Sequence, residues 1–339
     1  MTHRFPLKEI ARQAGLSTAT IDRAMNGRAH VSPQTKARVT AAISELEGQE
    51  AQLSARGRRL FFDFVIEAPN RFSQEIKRAA EDVLPRVGIA VCRPRFVMHE
   101  IMDEVDVLQV LARIAKRGSH GVCLKVRDVP KIRAAVDQLV SAGIPVVTLV
   151  TDISNCQRKA YAGLDNQSAG RTAAYLIAQS LGQQAGSVLA TRSQDDFLGE
   201  GERFAAFAQA LGQSCPNLRI ITASGGGGTA RDTAHGLADV IDQMRDLKAV
   251  YSMGGGNAAI LDTLDQYQPL SGVFVAHDLD AENLRLVRAG RLTYVLYHDL
   301  EADIHNVYRA FLHHHKLAAA PPRSMVSSVQ VVTPLNLPM

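Results

Sequence analysis

The sequence predicts an α/β protein in which a small all-α head is followed by two doubly wound parallel-sheet subdomains. Three observations predict it. From Phe61 onward short apolar runs alternate with helical periods, the pattern of parallel strands joined by crossover helices. The first 60 residues show helical periods alone and are basic, with ten Lys/Arg against five Asp/Glu, whereas the remaining 279 carry 28 against 29. The chain of 339 residues is also longer than one ordinary domain of roughly 100 to 200 residues. With 46% hydrophobic and 21% charged residues it is a globular composition, which excludes disorder and fibrous repeats.

In the head, Leu7, Ile10, Ala11 and Ala14 share one face of a first helix that Gly15 ends. Ser17 caps a second helix running to about Met25, and Ser32 with Pro33 starts a third, carried by Val39, Ala42, Ile43 and Leu46. The polar stretch from Glu47 to Arg59 reads as a linker holding a short, weak helix. The domain boundaries expected are 1–47 for the head, 48–60 for the hinge and 61–339 for the body.

Strands are expected near Phe61–Glu67, Ile89–Arg93, Gly121–Lys125, Pro145–Val150, Ser187–Thr191, Arg219–Ala223, Ala249–Ser252, Val273–His277 and Thr293–Tyr297. That is too many for one compact sheet of this length, so two subdomains are expected, with the break near Tyr161–Asn166. The run Gly225 to Gly228 reads as a loop. Cys92, Cys123, Cys156 and Cys215 stand far apart without a CxxC pair, as buried thiols in a reducing cytoplasm would. Neither a signal peptide nor a membrane span is written in the chain, so a cytoplasmic location without membrane contact is expected.

The segment Leu7 to Gly27 fits a helix-turn-helix, with Ile10, Ala14, Leu16 and Ile21 inward and Thr18, Ala19, Asp22 and Arg23 outward. An ordinary helical hairpin matches the same generic pattern. The wider string is more specific: Ile10-Ala11, Ala14-Gly15-Leu16-Ser17, Thr20-Ile21-Asp22-Arg23, Asn26 and Val31-Ser32. In these residues the chain resembles the LacI/GalR family of bacterial repressors. The resemblance implies that Thr18, Ala19 and Arg23 face base edges, where arginine suits guanine and a methyl group suits thymine. It implies that Ser17, Thr20, Asn26, His30 and Ser32 meet phosphates. Asp22 stands where the family usually has Ser, and its carboxylate suits a cytosine amine. The family's hinge helix drops a leucine into the minor groove; Leu53, between Ala51 and Ala55, is the candidate here, and simple packing is its other reading.

Over the rest of the chain the resemblance is to that family's periplasmic-sugar-binding-like effector domain. It rests on Val146-Val147-Thr148, Gly163-Leu164-Asp165-Asn166 with Gly170, Gly201 to Phe207, Gly254-Gly255-Gly256-Asn257 and Asp278. In such folds ligands sit in a cleft at the carboxyl ends of strands. The loops there supply Asn70, Arg71, Phe72, Asp152, Arg192, Phe197, Asn257, Asp278 and His298, a set suited to a sugar, polyol or related small polar effector. Asp165 and Asn166 match the family and equally suit a helix cap.

Enzyme signatures are missing from the sequence. The turn Ala68-Pro69-Asn70-Arg71-Phe72 replaces a GxGxxG, and no GxxxxGK[ST], GxSxG or HExxH is present. His313, His314 and His315 point in different directions on a helix, so no metal is expected there, and no cofactor. The resemblance implies a ligand-responsive transcriptional repressor that binds a near-palindromic double-stranded DNA operator as a homodimer. The competing readings are a solute-binding protein and a sugar-metabolising enzyme with a fused regulatory head.

Overall fold

The computed structural model describes residues 4–28, 31–55, 58–88, 90–224 and 227–337, with the backbone alone over 51–55. Helix α1 (Leu7–Ala14) ends on Gly15, whose φ of 61° is a left-handed conformation that a Cβ disfavours. That reversal aims α2 (Thr18–Met25), and Ser17 caps it by accepting from the Thr20 N–H at 3.2 Å. Ser32 does the same for α3 (Pro33–Ala55), accepting from the Thr35 N–H at 3.1 Å. Ile10, Ala14, Ile21, Val39, Ala42 and Leu46 close a core of their own, joined by Phe5. Leu7, expected on the inward face, is 38% exposed.

The stretch after Glu47 differs from the expected linker with its short, weak helix: α3 runs unbroken for 23 residues to Ala55. Glu, Gln and Ala are strong helix formers, and the single Gly48 costs about 1 kcal/mol, too little to stop a helix already nucleated. Arg4 also pairs with Glu50 at 2.8 Å, holding the chain ahead of α1 against this extension.

The body opens with β1 (Arg59–Glu67), α4 (Asn70–Asp82), the short α5 (Leu84–Val87), β2 (Val91–His99) and α6 (Glu104–Arg117). It continues through β3 (Gly121–Lys125), α7 (Pro130–Ser141), β4 (Val146–Leu149) and β5 (Ala160–Leu164). The second half holds α8 (Asn166–Leu181), β6 (Gly186–Arg192), α9 (Leu198–Ser214), β7 (Leu218–Ser224), α10 (Ala230–Ala238) and β8 (Leu247–Ser252). After it come α11 (Asn257–Tyr267), β9 (Val273–His277), α12 (Ala281–Arg288), β10 (Tyr294–Tyr297), α13 (Leu300–His314), β11 (Val326–Ser327) and β12 (Gln330–Val332).

Two six-stranded sheets result, in the orders β11-β5-β4-β3-β1-β2 and β12-β10-β9-β8-β6-β7. Pairing is parallel except between β10 and β12. The chain passes between the sheets three times, after β5, after β10 and after β11. Consequently α13 packs on the first sheet although it follows the last helix of the second, with Phe311 stacked on Phe62 at 5.0 Å and Tyr308 Oη donating to the Ala80 carbonyl at 3.0 Å.

All nine expected strands are present. Strand β2 runs on to His99 past Pro94, because it is an edge strand where a missing N–H costs no ladder bond; its expected start, Ile89, lies outside the described residues. β5, β11 and β12 were not expected: β5 is interrupted by Gly163 and two alanines, and β11 and β12 are only two and three residues long, too short for a period to read. Of the loop expected at 225–228, residues 225 and 226 lie outside the described residues. Cys92, Cys123 and Cys215 are buried, Cys156 is half-buried, and burial pushes the Cys92 thiol up to about 11. Among the described residues no helix is long and apolar enough to cross a membrane.

Candidate functional site

Two regions gather chemistry. On the head, Thr18, Ala19 and Arg23 lie on the exposed face of α2, with Arg23 Nε donating to the Ala19 carbonyl at 3.1 Å. Ser17 and Thr20 hydroxyls meet at 2.9 Å, and so do those of Ser32 and Thr35, so both caps present oxygen pairs beside a helix N-terminus. Asp22 is not a free carboxylate: it accepts from Asn26 Nδ2 at 2.7 Å and pairs with Arg28 at 3.3 Å. His30 lies outside the described residues, as does the side chain of Leu53, whose backbone belongs to the last turns of α3.

In the body the carboxyl ends of the two sheets face each other across a cleft. The first sheet contributes Arg71 and Phe72 after β1, Lys125 at the end of β3, and Val150 and Thr151 after β4. The second contributes Ser193, Phe197, Glu200 and Arg203 from the β6–α9 segment, then Met253 to Gly255 after β8. His277 at the end of β9, with Asp278, Asp280 and Asn283 after it, completes the lining. The loops adopt strained backbone on both sides: Val150 and Asp278 have φ of 66° and 65°. Left-handed valine is costly and concentrates at sites that fix geometry for a ligand.

Several bonds hold the cleft shut. Arg71 reaches from α4 across to Asp280 at 2.8 Å and to the Gly228 carbonyl at 3.2 Å. The Asp128 N–H donates to the Asp196 carbonyl at 2.9 Å, and the Gly199 N–H to Thr151 Oγ1 at 3.2 Å. The space left is about 40 Å³, enough for roughly three waters, so anything larger enters only as the subdomains part.

Behind the cleft, His277 is 1% exposed. Its Nε2 lies 2.8 Å from Tyr251 Oη, while its Nδ1 has no partner among the described residues. Burial, with Arg203 and His298 adding, holds this imidazole well below 6.5. The unfolded chain takes up the proton near pH 6.5 and the folded one does not, so stability is full above that pH and falls as the pH drops, by about 1.4 kcal/mol per unit. His277→Gln should flatten that acid limb in urea unfolding between about pH 6.5 and 5; an unchanged limb would assign it to other groups.

Of the nine body residues read from sequence, the fold brings Arg71, Phe72, Phe197 and Asp278 together in the cleft. Asn70 is exposed at the start of α4, its N–H donating to Glu100. Asp152 is turned to Arg158 and Thr148, and Arg192 to Asp195 and the Phe204 ring. Asn257 is buried at the start of α11, donating to Asn283 at 2.7 Å. His298 sits at the second passage between subdomains, its Nδ1 2.6 Å from Asp303, which also accepts from Ser327 at the third. Asp165 caps α8 by accepting from the Ser168 N–H at 2.9 Å, and Asn166 holds Arg203. Lys125, Glu200, Arg203 and Asp280 escaped sequence reading; an ionisable residue ending an apolar strand, as Lys125 does in Gly121–Lys125, was the available signal.

Comparison with known proteins agrees with this division. The model for bacterial regulatory proteins of the lacI family matches residues 6–47, and that for the periplasmic binding protein domain matches residues 67–302. The ribose operon repressor of Bacillus subtilis (strain 168) is 33% identical over 86 residues, 24% of this chain and 26% of that protein. The HTH-type transcriptional regulator RegA of Clostridium saccharobutylicum is 38% identical over 129 residues, 36% of this chain and 38% of that one. The matches thus span well under half the length of these curated relatives. Among solved structures, the glucose-galactose binding protein GanP from Geobacillus stearothermophilus superposes with a TM-score of 0.71 at 18% identity, over 83% of this chain and 100% of that one, a likeness of fold. With the helix-turn-helix in its head and a periplasmic binding protein domain as its body, the chain belongs to the lacI family of bacterial regulatory proteins.

Proposed function

We propose that the protein is a ligand-responsive DNA-binding transcriptional regulator, a repressor of a sugar or polyol utilisation operon that acts in the cytoplasm. The observation that carries this reading is the joining, through the long α3, of a helix-turn-helix to a two-subdomain body whose strand ends meet at a closed cleft lined by polar and charged side chains. As a homodimer it binds a near-palindromic operator. Thr18, Ala19 and Arg23 read bases, while Ser17, Thr20, Asn26, His30 and Ser32 hold phosphates. Asp22, already engaged by Asn26 and Arg28, repels phosphate less than a free carboxylate would and positions both neighbours. Leu53 is the minor-groove residue.

A small polar effector acts by selecting one closure angle. The three strand-to-strand passages and the Arg71 bridge convert that angle into a changed separation of the two α3 ends in a dimer, so effector and operator affinities are linked. The names of the curated relatives, a ribose operon repressor and a transcriptional regulator, support a regulatory role rather than catalysis.

Operator retention by the full chain and by a chain lacking residues 1–58 tests the reading. Retention by the truncated chain would return the protein to the solute-binding or enzymatic alternatives. Arg23→Ala should cost about 1–3 kcal/mol on the operator and relax specificity at one base pair. Equal losses on operator and random DNA, measured by fluorescence anisotropy, would remove Arg23 from the base-reading set.

A further inference from the structure

Two cations in the cleft have no carboxylate in direct contact among the described residues. Lys125 and Arg203 are 7% and 3% exposed. Lys125 Nζ donates to the Glu67 carbonyl at 2.8 Å. Arg203 donates to the Asn166 side-chain oxygen at 2.7 Å and to the Met253 carbonyl at 3.1 Å. All three acceptors are neutral.

The neighbouring carboxylates are committed elsewhere. Glu67 is held by Arg127 through both oxygens. Glu200 accepts from the Ser193 N–H at 2.6 Å and from its hydroxyl at 2.5 Å. Asp280 binds Arg71 with one oxygen and caps α12 with the other. A buried cation whose direct hydrogen-bond acceptors are all neutral is costly, and an incoming anion lowers that cost.

Resting on the sensor reading above, we propose that the effector carries a carboxylate, held by Lys125 and Arg203, on a polyhydroxy body of the aldonate or uronate type. The rest of the cleft suits such a body. Asp278 is half-buried in the cleft lining, and His277 Nδ1 is buried and unpaired among the described residues; both suit hydroxyls. Phe197 flanks the acid end, its ring centroid 4.1 Å from Lys125 Nζ, where the ring face supports an ammonium charge. Burial, with Arg203 adding, lowers the Lys125 pKa more than Glu200, Glu67 and Asp278 raise it, so a bound carboxylate supplies charge compensation that the closed cleft lacks.

Thermal shift of the full chain tests this, because a ligand of the folded state raises its apparent stability. The probes are D-gluconate, D-glucuronate and D-galacturonate against D-glucose, D-galactose, D-glucitol, methyl D-galacturonate and D-glucose 6-phosphate. The expected result is that an acid raises the melting temperature whereas the neutral compounds and the ester do not. Lys125→Gln should weaken that acid by about tenfold or more by isothermal titration. If this variant does not fold, the acid and ester comparison on the unaltered chain decides. A neutral sugar binding as tightly as its acid overturns the carboxylate and leaves the sensor reading standing, as does preferential binding of the sugar phosphate. Binding by none of these compounds also overturns the carboxylate, and the operator-retention experiment then judges the regulator reading by itself.

Discussion

Phe311→Ala should destabilise the first subdomain by about 3–5 kcal/mol, the usual cost of removing a fully buried phenylalanine from a packed core. Phe311 is 0% exposed and stacks on Phe62 of β1 with ring planes 27° apart. Gly121 at the start of β3 leaves room for the ring, since a Cβ there would come within 2.6 Å of it. The site has little means of collapsing, because sheet backbone bounds it on one side and α13 on the other. The expected signature is loss of the first subdomain's protection in hydrogen exchange, although the altered residue lies after every helix of the second. Tyr308→Phe is the milder companion: it keeps the ring and loses one hydrogen bond to Ala80, for about 1 kcal/mol. A loss below about 1 kcal/mol for Phe311→Ala in urea unfolding would mean that α13 is not integral to this sheet.

Gly170→Ala sets two effects of opposite sign against each other. Within a helix, alanine is favoured over glycine by about 1 kcal/mol. At Gly170, however, the added Cβ would lie 2.2 Å from the Arg203 carbonyl and 3.0 Å from the Phe207 nitrogen, both backbone atoms of the facing helix α9. The helices must part, and overpacking of this kind costs about 3 kcal/mol, so a net loss of about 2 kcal/mol is expected. Gly201→Ala in α9 is the control: nothing lies within 4 Å of its Cβ, so propensity acts alone and the variant should gain about 0.5–1 kcal/mol. Because Arg203 belongs to the cleft, Gly170→Ala should also weaken effector binding, while Gly201→Ala leaves it unchanged. Opposite signs for the pair in denaturant unfolding support this account; a stabilised Gly170→Ala would refute it.

Signals that are local in the chain were legible. Caps such as Ser17 and Ser32, the left-handed Gly15 and the period of Ile10, Ala14 and Ile21 act within a few residues, and the structure carries each of them. Most of the nine expected strands were readable because buried parallel strands leave continuous apolar runs. Where the local signal was weak, reading failed in identifiable ways. The strand expected to end near Arg93 runs on through Pro94 because it lies on a sheet edge, and the stretch after Glu47 read as a linker because its sequence carries no sustained apolar period.

The cleft divides along the same line. Arg71, Phe72, Phe197 and Asp278 were found because they follow strands, where parallel sheets present their loops. Asp152 follows β4 and Arg192 ends β6, at equivalent carboxyl edges of the two sheets, yet Arg158 and Asp195 lie a few residues away and take their charges. Lys125 and Arg203 were missed because one ends a strand and the other sits inside a helix, so no loop marked them.

The sequence by itself determined the classes of the two parts: helical periods and caps specify the head, and alternating apolar runs specify a doubly wound body. Only the tertiary structure decided which ionisable groups share the cleft and which neutralise one another beforehand. That choice depends on pairings such as Arg71 with Asp280, 209 residues apart, and on three passages between sheets that no local period encodes.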